Sequence, residues 1–229
     1  MNELFETFLN PGVMGESAGL LLRGLVVTVE LALLVVPAGL ALGACLAVAQ
    51  TLAPKWLERV VSLGVDLVRA FPPLVLLVLV VHGLPFAGIE LPALAGAAVA
   101  LTLNTSSYYG EIVRAGIAGV GAGQWEAARS TGLGTLGVLR FVVLPQAVRK
   151  VLPDLVGNTL EAVKLTALAS VVALPDLLRM ARIAQGVHFN PSPLILATAL
   201  YLALLWPLAR FVRQLGATKP EPGVAELPG

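Results

Sequence analysis

Charge is scarce in this chain. Only 13% of its 229 residues are charged, about half the share of an ordinary soluble domain, while 57% are hydrophobic. Such a chain cannot solvate its own surface, so an integral membrane protein is expected. The net charge is +1 and no basic run occurs, so nothing points to nucleic acid. The single cysteine, Cys45, excludes an intrachain disulfide. Set in an apolar run, it reads as a small buried side chain. The two histidines, His82 and His188, lie far apart without a Cys or carboxylate at ligand spacing, so no metal site is expected. No basic stretch opens the N-terminus, and no cleaved signal peptide is expected. Glycine is missing where nucleotide hydrolysis would need it. Lys55, Lys150, Lys164 and Lys219 follow Pro54, Arg149, Val163 and Thr218. A P-loop needs glycine before its lysine so that backbone N–H groups can close on phosphate. No catalytic residue is therefore assigned, and any uphill work must be driven from outside the chain.

What the chain has instead is long apolar runs. Five reach or approach the roughly 20 residues of a transmembrane helix. They cover Leu20 to Ala49, Val60 to Val81, Leu91 to Ile112, Val151 to Leu174 and Pro193 to Phe211. Pro37 marks a kink in the first. Breaks fall at Pro54, at His82-Gly83-Leu84-Pro85, between the third and fourth runs, and from Pro175 to Asn190. The fold class is thus an all-α membrane protein with five transmembrane helices. The chain divides into an outer N-terminal segment (1–19), a transmembrane domain (20–215) and a Pro/Gly-rich tail (216–229) expected to be disordered. Ten basic residues fall on one side of this layout and three (Arg23, Arg179, Arg182) on the other. The positive-inside bias then places the N-terminus outside, with the long loop and the tail in the cytoplasm.

The long loop, about 113–149, is the most informative segment. It reads Glu126-Ala127-Ala128, three residues, Gly132, nine residues, then Val142, Leu144 and Pro145. Alanine suits a short helix around Trp125 to Arg129. Gly132 suits its end, since glycine readily takes the left-handed conformation there. A second short helix is expected from Gly134 to Val143, stopping before Pro145. Two short helices joined at a glycine make an elbow able to press into a partner.

The elbow and its flanks resemble the polar-amino-acid permease family of type I ATP-binding-cassette (ABC) importers. The resemblance covers about Leu20 to Leu215 and is densest between Tyr109 and Pro153. It runs through Tyr109-Gly110-Glu111-Ile112, Arg114, Gly116-Ile117, Gly123-Gln124, Phe141, Leu144-Pro145-Gln146-Ala147 and Arg149. Outside that stretch Gly24-Leu25, Thr28, Glu30, Arg69, Pro72, Lys164 and Ala167-Leu168 also match. The resemblance implies an importer permease fold with a cytoplasmic coupling loop, in a bacterial inner membrane. Its partners would be a dimer of ATPase subunits that binds ATP and Mg, a second permease (identical or sibling), an extracytoplasmic substrate-binding protein and the lipid bilayer. Glu126, Ala127, Ala128, Gly132, Leu144 and Pro145 are then the ATPase-coupling residues. The cargo would be a polar amino acid or similar small zwitterion. A compatible solute, an opine or a basic amino acid stays open within the class, and an ion-coupled secondary transporter is the alternative outside it. One departure stands out. Leu165 follows Lys164 where many family members carry an acidic or hydroxyl residue, and the segment from Asn158 to Lys164 is shorter by about one residue.

Ionisable residues inside spans are functional hypotheses by default. Asp66 and Arg69, and Glu161 and Lys164, are spaced to pair on one helix face. Each pair either satisfies itself against protein or, with Thr166, lines a substrate pathway. An acid and a base at matching spacing suit a zwitterion. The run Asn104-Thr105-Ser106-Ser107-Tyr108-Tyr109 either packs across helices or lines that pathway.

Overall fold

The structure, a computed structural model, describes residues 6–217, with side chains to Gln214. The tail from 218 onward lies outside the described residues. Those residues are mostly helical, with no strand among them. The helices are α1 (Pro11–Leu52), α2 (Lys55–Ala70), α3 (Pro73–Val78), α4 (Ala93–Ala118), α5 (Ala122–Ser130), α6 (Thr135–Val138), α7 (Leu144–Leu165), α8 (Leu177–His188) and α9 (Ser192–Ala217). A π turn and a 3-10 turn extend α3 to Ala87, a second π turn (Leu139–Val143) joins α6 to α7, and a 3-10 segment (Thr166–Val172) extends α7.

Three stretches are long and apolar enough to cross a membrane: Glu6–Leu52, Thr135–Val172 and Ser192–Gln214. The bent pair Lys55–Ala70 and Pro73–Ala87 makes a fourth if it is one span. Helix α4 has 26 residues, so it fails on composition rather than length. It is also deeply enclosed, and an enclosed helix tolerates polar residues that a lipid-facing one would not.

The α1–α4 contact is the centre of the fold. Helix α1 turns one stripe inward, including Leu31, Val35, Gly39, Gly43 and Ala47, at the three-to-four-residue spacing of a helix face. At Gly43 an added Cβ would lie 2.6 Å from Tyr109 Cβ and 2.8 Å from Gly110 N. The two backbones approach this closely only because glycine stands there. Helix α1 starts at Pro11, capped by the Asn10 side chain, and runs through Pro37 without a break. The outer segment expected at 1–19 is therefore helical from Pro11, as part of α1.

Four expectations need correction. The run from Val60 to Val81 is not one helix: it bends by 100° between Ala70 and Pro73. Two prolines in succession, Pro72 and Pro73, remove two N–H donors and hold Phe71 extended (ψ 131°). The expected loop from Pro175 to Asn190 contains α8, whose N-cap Asp176 accepts from Arg179 N. The second elbow helix does not stop before Pro145; it passes through the π turn into α7, the wider turn accommodating the proline. Cys45 is exposed, not buried, on the outward side of α1.

Candidate functional site

The elbow is built from α5, the turn 131–134, α6 and the π turn. Helix α5 closes with Gly132 N donating to Arg129 O at 3.0 Å, and Gly132 sits at φ +86°. That conformation costs an L-residue roughly 1–2 kcal/mol, so glycine suits the corner. The elbow is not a free loop. Ala128, Val138, Leu139 and Val143 are buried with Tyr109, Val113 and Ile117 of α4 and with Ala147, Val151 and Leu155 of α7. Trp125 packs on the same cluster, with the Arg129 guanidinium over its ring at 5.8 Å. Gln146 Nε2 donates to Gln124 Oε1 at 3.2 Å and Lys150 Nζ to Gly119 O at 2.9 Å. The inner side of the elbow is thus packed against α4 and α7.

The candidate coupling residues divide into two sets. Glu126, Ala127, Gly132 and Pro145 are exposed, Leu144 is half-buried, and Ala128 points into the elbow's own core. The corner also exposes apolar side chains absent from the sequence-based assignment. Leu136 is 65% exposed and Phe141 66%, with Arg140 over the Phe141 ring at 5.5 Å. Large apolar residues in an otherwise polar loop were the available signal. Beside the elbow lies a cleft of about 470 Å³ lined in part by Gln50, Glu58, Arg114 and Trp125.

The second candidate region is α7. Lys164 Nζ donates to Glu161 Oε1 at 2.6 Å, so this pair forms as expected. Both partners are exposed, Lys164 at 47% and Glu161 at 63% of the side chain. Asp154 is exposed too. At spacings of seven and three these residues share one face of α7. Thr166 is turned the other way: it is fully buried and its hydroxyl donates to Val163 O at 2.7 Å.

Asp66 and Arg69 do not pair with each other, which corrects the self-satisfying alternative. Both lie on α2 short of the bend, and Arg69 sits over the Tyr108 ring at 5.3 Å. Arg114 pairs with Glu111 instead and feels the charges of Asp66 and Glu58. The polar run on α4 is buried: Asn104 is fully enclosed, and Thr105, Ser106 and Ser107 are each 2% exposed. Their hydroxyls donate to carbonyls of their own helix, Leu101, Leu103 and Asn104. The cross-helix bond here joins Tyr109 and Thr159 hydroxyls at 2.7 Å.

At the opposite end, Asp176 is fully buried where α8 begins. Burial pushes its carboxyl up to about 6, against the pull of N–H groups led by Arg179. Its Oδ2 has no hydrogen-bond partner.

Residues 37–217 match the family described as binding-protein-dependent transport system inner membrane component. The chain is 32% identical over 196 residues to the probable amino-acid ABC transporter permease protein YckA of Bacillus subtilis, covering 86% of this chain and 87% of that one. It is 37% identical over 164 residues to the probable glutamine ABC transporter permease protein GlnP of the same organism, covering 69% and 75%. Among solved structures, a chain of an amino acid ABC transporter matches with a TM-score of 0.81 at 33% identity, covering 90% and 97%. A chain of the MetNI methionine ABC transporter in an inward-facing conformation shares the fold, with a TM-score of 0.69 at 22% identity, covering 86% and 97%. The family match spans most of the chain and includes the elbow, so the protein belongs to the binding-protein-dependent transport system inner membrane components, as a permease of the polar-amino-acid type of ABC importer.

Proposed function

We propose that this chain is the passive membrane conduit of an ATP-driven importer for an amino acid or similar small zwitterion. The carrying observation is the elbow: an exposed corner at Gly132 whose inner side is buried against α4 and α7. A separate ATPase dimer, binding ATP and Mg, grips Glu126, Ala127, Gly132 and Pro145 from the cytoplasm. Ala128 and Leu144 hold the corner in shape. ATP binding draws two elbows together and opens the cavity outward, where a binding protein delivers substrate; hydrolysis resets it inward. The chain crosses the membrane five times, with its N-terminus outside and its C-terminus in the cytoplasm.

The α7 face supports a pathway between two permease subunits, identical or sibling. A charged side chain facing lipid at mid-membrane costs roughly 2.5–3.5 kcal/mol. Asp154, Glu161 and Lys164 together make lipid an untenable neighbour, so protein or water covers them. The Glu161–Lys164 pair offers a carboxylate and an ammonium, the complement of a zwitterion, while Asp66 and Arg69 stand nearer the inner mouth. Relatives named for amino-acid, glutamine and arginine transport support this cargo class.

The test is Gly132→Asp in the assembled transporter. Membrane abundance should stay at the wild-type level while substrate-stimulated ATP turnover falls at least tenfold. Turnover at the wild-type rate would count against the docking assignment.

A further inference from the structure

Helix α2 has three faces rather than two. Leu57, Val61, Val65 and Val68 turn toward the protein, Val65 at 4% exposure. Lys55, Glu58, Arg59 and Asp66 form an exposed polar face. Between them runs a third stripe, Trp56, Val60, Leu63 and Leu67, that is apolar and uncovered, at 67%, 60%, 70% and 59% exposure. Taken at 100° per residue, the three faces lie about 120° apart. A two-faced helix belongs between protein and water; the extra apolar stripe calls for a third medium.

The placement of α2 supplies that medium. Ser62 Oγ accepts from Gln50 Nε2 near the inner end of α1 at 3.1 Å. Seven residues on, Arg69 lies over Tyr108, and both Glu58 and Asp66 act on Arg114. From Glu58 to Arg69, α2 advances about 16 Å at 1.5 Å per residue, while its partners on α4 shift by only about 9 Å. The helix therefore stays near the elbow end of α4 instead of climbing along it. The bend agrees. Membrane helices tilt by about 20° on average, and with α3 at that tilt a 100° turn leaves α2 within about 30° of the bilayer plane. The uncovered stripe is also continuous in sequence with exposed apolar residues beyond the bend, Leu74 at 38% and Val75 at 44%, on the segment that enters the membrane.

We propose that α2 is a membrane-surface helix, lying along the leaflet on the elbow side. Trp56, Val60, Leu63 and Leu67 sink into the boundary between headgroups and acyl chains, and Lys55, Glu58, Arg59 and Asp66 stay in water. Tryptophan at one end of the stripe suits that boundary, and a basic pair beside it suits anionic headgroups. Lipid is favoured over a second copy of the chain because the stripe carries no polar atom but the indole N–H, while the charged face that needs protein or water is on α7. Through its contacts with Gln50 and Tyr108, the helix fixes the depth of the inner ends of α1 and α4. The second crossing then begins at Pro73.

The experiment places single cysteines at 56, 60, 63 and 67, and at 55, 59 and 66, in the full-length Cys45→Ala chain. The chains are spin-labelled in liposomes of phosphatidylethanolamine and phosphatidylglycerol, and collision with oxygen and with a water-soluble nickel chelate is measured. The first four labels should favour oxygen and report one depth within about 5 Å; the other three should favour the chelate. A depth that grows steadily by about 16 Å from 56 to 67 would overturn the proposal in favour of a crossing helix. Labels shielded from both agents would overturn it in favour of a second copy. The wild-type chain gives an independent reading. Lipids brominated near the headgroup should quench its fluorescence more than they quench that of Trp56→Phe, and equal quenching would also defeat the proposal.

Discussion

Helices α4 and α7 pack on each other, and both carry polar residues where a lipid-facing span would carry none. On α4 these are small hydroxyls and an amide, buried, with the hydroxyls bonded to carbonyls one turn back on the same helix. On α7 they are full charges, exposed, with Glu161 and Lys164 bonded only sideways along the helix. A small back-bonded hydroxyl is cheap to enclose and lets α1 come close. A charge turned away from its own fold is costly until something polar meets it. Polarity on α4 therefore builds the protein, while the charges on α7 stay exposed, and the proposed pathway is what would meet them.

Four variants test that division and a fifth probes Asp176, in order of expected effect. Gly43→Leu sets a branched side chain against the Tyr109 and Gly110 backbone of α4. Folded permease recovered by size-exclusion chromatography should fall at least tenfold, and uptake with it. Glu161→Gln and Lys164→Met should behave oppositely, leaving folded yield within about twofold but lowering uptake of labelled amino acid about tenfold. Wild-type uptake in both would remove α7 from the pathway. Tyr109→Phe deletes the 2.7 Å bond to Thr159. A net hydrogen bond contributes about 1 kcal/mol, so the melting temperature should drop by about 2–4 °C with uptake unchanged. The smallest effect is in pH. Asp176 is raised to about 6 from 3.8, so above pH 6 it is ionised both folded and unfolded, and the burial penalty is felt in full. As pH falls from 7 through 6, only the folded state takes up the proton, and this group's contribution to stability rises. Asp176→Asn should flatten that part of the melting-temperature profile; an unchanged profile would show that Asp176 does not govern it.

The long apolar runs make most of the spans legible, and the glycine at 132 marks the elbow's corner, where φ is +86°. What escaped did so for physical reasons. Averaged over Val60 to Val81, the chain is apolar enough to span, but averaging hides the Pro72-Pro73 pair that turns it through a right angle. Helix α8 reads as a loop in the sequence because it is short and amphipathic; Asp176 ahead of Leu177-Leu178-Arg179 is its cap signal. Spacing foresaw Glu161–Lys164 yet misjudged Asp66–Arg69, since Arg69 found an aromatic ring on a neighbouring helix. Three-residue spacing shows which groups can meet along a helix, and tertiary neighbours decide whether they do.

In the proposed mechanism energy enters from outside this chain, through its elbow. Purified permease, reconstituted in proteoliposomes with its ATPase and binding protein, measures this directly as labelled amino-acid uptake with and without ATP. Accumulation should require ATP and should vanish with Gly132→Asp. Accumulation without nucleotide, or undiminished uptake by the elbow variant, would contradict the account.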